Sequence, residues 1–162
     1  VSFRRIATEA DVGVATVHRH FPELIDLLNE VIPLVLKDLE KMLEDNAPLW
    51  DEDPERAWHD IVHAFAGMEA VLLKDSLFST LTEQRGAVTV RKYLMRNLQP
   101  LLQGLLNKAH KHGFVSAEVS PMRFHLGLAT VSRPLSDAVL DIDPGLPTWA
   151  VENFLAGLRS NA

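Results

Sequence analysis

His59-Asp60-Ile61-Val62-His63 sets two imidazoles four residues apart, on one face of a helix, with a carboxylate between them. Zinc peptidases use paired His at this spacing, with a Glu between them as base. Asp is one methylene shorter than Glu, and no third ligand follows at a recognised spacing, so an exposed or pocket-edge pair is expected here and no metal. His110 and His112 are two residues apart and face different ways on a helix, so they do not chelate together. The absence of Cys excludes disulfides, thiolate metal sites and a Cys nucleophile. Ser, His and Asp are scattered with no triad pattern, and no Gly-rich phosphate loop is present. No catalytic activity and no cofactor are expected. An all-helical enzyme with a His-containing pocket stands as an alternative.

A second grouping lies in residues 6–22. Ile6, Ala7 and Ala10 make one apolar face over a helical turn, and Val14, Val17 and Phe21 share a face by i, i+3, i+7 spacing. Val12 and Gly13 lie between the two, so the segment reads as helix, tight turn, helix. The second helix of such a pair presents polar side chains to the DNA major groove. Thr16, His18, Arg19 and His20 are the candidates for that face, with Arg4 and Arg5 near the phosphate backbone. Plain surface exposure is the competing reading of all six.

This stretch resembles the DNA-binding motif of the TetR family of bacterial regulators. Ile6, Ala7, Ala10, Val12, Thr16, Val17, His20, Phe21, Pro22, Leu27 and Leu28 match the family pattern in order and spacing. Four positions depart. Asp11 replaces the turn Gly, Gly13 a capping Ser, His18 a Tyr, and Leu24 a Lys that would face phosphate. Asp can adopt the left-handed turn conformation, and Gly caps a helix nearly as well as Ser. Leu24 removes a cation, which should weaken binding. The resemblance covers roughly the first thirty residues. It implies a further helix ahead of the motif, which this chain does not show. It also implies a domain over 1–30 for DNA binding and a domain over 31–162 for effector binding and dimerisation. The implied protein is a transcriptional regulator, a repressor released from a double-stranded operator by a small-molecule effector. A helical interaction module that has lost DNA binding is the other alternative.

The remaining elements follow from caps and periodicity, and the expected fold class is all-α. Pro22 or Glu23 opens a helix that carries Leu27, Val31, Leu34, Val35 and Leu39, bent at Pro33 and ended by Asn46-Ala47-Pro48. A loop then runs to Asp53. Asp53-Pro54 opens a second helix. A short helix is expected over 75–84 and a long one from about Val88 to His112, with Gly113 as its C-cap. Ser120-Pro121 opens a helix expected to run through Leu135 and Val139 with a bend at Pro134, and a last helix starts near Pro147 or Thr148. No strand pattern competes.

Composition bounds the class. The 162 residues are 47% hydrophobic and carry a formal net charge of −6, so no uniformly basic nucleic-acid surface exists. An acidic body joined to a small DNA-reading end remains compatible. No apolar run has membrane-spanning length and no leader is visible, so a cytoplasmic protein without membrane partners is expected. Trp58, Val62, Phe65, Met68, Phe78 and His125 are candidate pocket residues, each of which can equally be core. That a pocket exists follows from the resemblance. Phe124, Leu128, Val131 and Leu135, with Phe154 and Leu158, are the candidate seam of a homodimer; burial in the protomer's own core is the alternative.

Overall fold

Local capping chemistry decides where most of the helices begin and end. The structure is a computed structural model and describes residues 3–73 and 87–159. Helix α1 (Phe3–Glu9) ends in a Schellman motif: the Val12 N–H donates to Ala7 O at 2.9 Å and the Asp11 N–H to Thr8 O at 3.2 Å. Asp11 sits at the left-handed position of that motif, with φ of 51°. Gly13 caps α2 (Val14–His20) in an extended conformation without a side-chain bond. Helix α3 (Leu24–Asp45) opens with a capping box in which the Glu23 N–H donates to Asp26 Oδ2 at 2.9 Å. It runs through Pro33 as one continuous helix.

The segment expected to be a loop before Asp53 contains a short helix, α4 (Leu49–Glu52), whose Trp50 is buried. Asp53 Oδ1 then accepts from the Arg56 N–H at 3.0 Å and starts α5 (Pro54–Leu73). The helix expected over 75–84, with Phe78, lies outside the described residues. Helix α6 (Ala87–Lys111) contains Pro100 and ends at Gly113, whose φ is 73°. Here too the bonds are those of a Schellman motif, Phe114 N–H to Ala109 O and Gly113 N–H to His110 O. Ser120 Oγ accepts from the Arg123 N–H and opens α7 (Pro121–Val131).

One expectation is corrected at this point. Pro134 does not bend α7; the helix stops at Val131, three residues earlier. Proline lacks an N–H and disfavours helical backbone at the residue before it, so the chain leaves the helix. Leu135 therefore lies off the stripe, and Val139 belongs to a separate short helix, α8 (Asp137–Leu140). Helix α9 (Leu146–Arg159) closes the described chain.

The fold is all-α, and no strand occurs among the described residues. Helix α7 lies at the centre of the body, packed on α5, α6 and α9, while α3 packs on α5 and α6. Phe124 and Leu128 of α7 are completely buried, as are Ile61 and Val62 of α5. Full burial of each such side chain contributes about 1.5–3 kcal/mol. Gly127 lets α9 approach: a Cβ there would stand 2.6 Å from Phe154 Cε2. Beyond helix α6, the Ser116 N–H donates to Leu158 O at 3.0 Å and pins the following loop to α9. No helix among the described residues is long and apolar enough to cross a membrane.

Candidate functional site

Among the described residues, two places gather polar groups of interest for function. The first is the α1–α2 pair. Ala7 and Val17 are buried between the two helices, and Ile6, Thr16 and Phe21 are half-buried. Arg4, Arg5, His18, Arg19 and His20 are exposed. The His18 ring packs edge-on against Phe3 at 4.4 Å, so its position is set by α1 as well as by its own helix. The four-residue connection 10–13, with its left-handed Asp11, turns the chain between the helices. Asp11 adopts the left-handed conformation that a short polar side chain tolerates.

The second place lies between α5 and α9. Helical spacing stacks the His59 and His63 rings with centroids 4.3 Å apart and planes 34° apart. Both rings direct Nε2 at one atom, Glu152 Oε1 of α9, at 2.5 Å from His59 and 2.6 Å from His63. His59 also places Nδ1 3.7 Å from Asp60 Oδ1, and Asp60 Oδ2 lies 3.4 Å from Arg56 Nε. Burial alone would push the Glu152 carboxyl up, but the hydrogen bonds and charge of His63 and His59 outweigh it and hold that group below its ordinary value. The third polar group absent from local spacing is thus Glu152, 89 residues from His63 along the chain. Periodicity along one helix carries no signal for such a partner.

A groove of about 320 Å³ adjoins this cluster, lined by Glu55, Trp58 and His59 from α5 and by Glu152, Leu155, Ala156 and Arg159 from α9. Arg159 Nη2 pairs with Glu55 Oε1 at 2.7 Å along its edge, and the Arg159 guanidinium covers the Phe114 ring at 5.0 Å. Of the pocket candidates, Trp58 reaches this groove. Val62 and Phe65 are buried in the core and Met68 packs against it. The rings of Trp58, Phe65 and Phe154 each lie about 6 Å from that of Phe124, a continuous aromatic packing. His125 is buried, with Nδ1 3.0 Å from Glu69 Oε1 of α5 in a contact that lacks hydrogen-bond alignment. Its ring stacks on Phe65 at 6.0 Å.

The candidate seam residues divide between the core of the protomer and its edge. Phe124, Leu128 and Leu158 are buried within the protomer, so their side chains have no surface to give to a second copy. Val131, Leu135 and Phe154 are half-buried, the last against Gly127 and Phe124. The apolar side chains that α7, α9 and the segment between them leave in solvent are Leu126, Val139, Ile142 and Trp149, with exposures of 53%, 36%, 85% and 62%. Phe124 and Leu128 of α7 and Leu155 and Leu158 of α9 form the inward face, and Val139 lies outside it. Compared with models of known protein families and with curated proteins, the chain matches none.

Proposed function

We propose that this chain is a DNA-binding transcriptional regulator of the TetR type, acting as a repressor that a small molecule releases from its operator. The observation that carries the reading is the α1–α2 pair: two seven-residue helices joined by a four-residue turn with Asp11 in the left-handed region, packed through Ala7 and Val17. The exposed Arg4, Arg5, His18, Arg19 and His20, with half-buried Thr16, are the proposed DNA contacts. The resemblance of residues 6–28 to the family motif supports the same reading.

A homodimer is part of the proposal, because one helix pair reads too few bases and such motifs act across a two-fold axis. The proposed seam is the exposed apolar set Leu126, Ile142 and Trp149. Sedimentation at micromolar concentration should give twice the 18.1 kDa chain mass, and Trp149→Glu should return the monomer. A monomer for the unsubstituted chain would remove both the seam and the two-half-site operator.

The experiment for the whole reading is recovery and sequencing of genomic DNA fragments retained by the protein, followed by gel-shift titration at fixed salt. A bidentate Arg contact to guanine contributes about 1–3 kcal/mol of discrimination. Arg19→Ala should therefore relax specificity at one base pair if it reads guanine, or weaken all sequences alike if it meets phosphate. Retention of no specific fragment would favour the interaction-module reading. The net charge of −6 and the uncharged Leu24 are the features that point that way.

A further inference from the structure

We infer that His59, His63 and Glu152 form a binding site for a divalent transition ion of zinc-like softness, held by two imidazole Nε2 atoms and one carboxylate oxygen. The inference goes beyond the regulator reading and does not depend on it.

Three ligand atoms, one from each residue, lie within 4.8 Å of one another. Both Nε2 atoms converge on Glu152 Oε1, at 2.5 and 2.6 Å. Around a tetrahedral zinc with metal–ligand bonds near 2.0–2.1 Å, ligand atoms stand about 3.3 Å apart. Each Nε2–Oε1 separation must therefore lengthen by less than about 1 Å to admit an ion. A rotation of the Glu152 side chain, which is 43% exposed, supplies that movement.

The scaffold favours such a site. Two ligands come from one helix at i, i+4, and their stacked rings already point the same way. The third comes from α9, which is held in place through the packing of α7 on both α5 and α9. Ion binding needs lone pairs at both Nε2 atoms, so their protons move to Nδ1 or leave to water. Asp60 Oδ1 stands 3.7 Å from His59 Nδ1, so a small turn of the Asp60 side chain lets it accept a hydrogen bond from the Nδ1–H, the arrangement that orients a metal-bound imidazole. Arg56 in turn steadies Asp60. Two imidazoles and a carboxylate select zinc, nickel, cobalt or copper over magnesium and calcium, which take oxygen ligands. The adjoining groove touches both His59 and Glu152, leaving a fourth coordination position for water or a small ligand.

The test uses the untagged chain, freed of metal with chelator, and Zn²⁺ or Co²⁺ alone as the probe. Calorimetry should show one Zn²⁺ per chain, undisturbed by millimolar Mg²⁺. Co²⁺ should give the visible absorption of a four-coordinate site. The doubly substituted His59→Ala/His63→Ala chain, checked for helicity by circular dichroism, should lose this binding, and Glu152→Gln should weaken it at least about tenfold. Asp60→Asn should weaken it about tenfold, as removal of an outer partner does. Long-range ¹H–¹⁵N NMR of the unsubstituted chain needs no variant to fold: Zn²⁺ should shift Nε2 of His59 and His63 and leave His110, His112 and His125 unmoved. Absence of stoichiometric binding at micromolar Zn²⁺, or shifts confined to other histidines, would overturn the inference.

Discussion

Histidine meets glutamate twice between α5 and the C-terminal helices, once in solvent and once in the core. At the surface His59 and His63 share Glu152, whose side chain is 43% exposed. Inside, His125 of α7 faces Glu69 of α5, with side chains only 8% and 7% exposed. The surface cluster has two well-made hydrogen bonds to one oxygen, and water can replace any of them. The inner pair has one close contact without hydrogen-bond alignment, against the flat face of Phe65. The same residue types therefore do opposite work. Desolvation makes the inner pair costly to break, whereas accessibility makes the outer one free to exchange protons, water or an ion.

Breaking the inner pair should have the largest effect. Glu69→Ala leaves the buried His125 imidazole beside an emptied site; an unsatisfied buried polar group costs about 1–3 kcal/mol, and the cavity adds to it. Urea denaturation should show that loss, and the double change Glu69→Leu/His125→Leu should recover much of it. A cost below about 1 kcal/mol for Glu69→Ala would erase the contrast with the surface cluster.

Gly127→Ala perturbs both meetings, since it lies two residues beyond His125 and its new Cβ would strike the Phe154 ring, two residues beyond Glu152. Overpacking of this kind costs about 1–3 kcal/mol. The same variant should loosen the Glu152 contacts, visible as a change in the His59 and His63 ring resonances. Unchanged stability would mean that Phe154 swings aside freely and that α9 is not seated by that ring.

Glu152→Gln should cost the least, under about 1 kcal/mol at neutral pH, because the cluster is open to solvent. Its signature is pH dependence in the metal-free chain. Glu152 is held below its ordinary value of 4.5 in the folded state. The unfolded chain then binds more protons in this range, so stability rises with pH. The contribution is complete above about pH 4.5 and is lost as pH falls through the lower folded value. Denaturation midpoints between about pH 3 and pH 6 should show a shallower acid decline for Glu152→Gln than for the unsubstituted chain. Parallel curves would remove the carboxylate from the stability of the cluster.

Much of the fold was legible because its punctuation is local. Asp53-Pro54, Ser120-Pro121 and Gly113 each act on backbone groups within a few residues, and each marks a helix end where the sequence placed it. Asp11 is legible for the same reason, since its left-handed turn is a property of one residue and its neighbours. The i, i+4 spacing of His59 and His63 likewise put two imidazoles together before any packing was considered. The stop at Val131 was misread because a proline near a helix end permits either a bend or a break, and the choice depends on what the chain packs against next.

Sequence alone therefore determined the all-helical class, most helix boundaries, the α1–α2 pair and half of the His–Glu cluster, since all of these rest on interactions within one or two helical turns. Tertiary structure alone decided which face of α7 turns inward, so that Phe124 and Leu128 are core and Leu126 is not. It alone carried Glu152 to His63 and Glu69 to His125, because those meetings join residues on different helices, and the approach of two helices is set by side-chain volume, here the missing Cβ of Gly127 beneath Phe154.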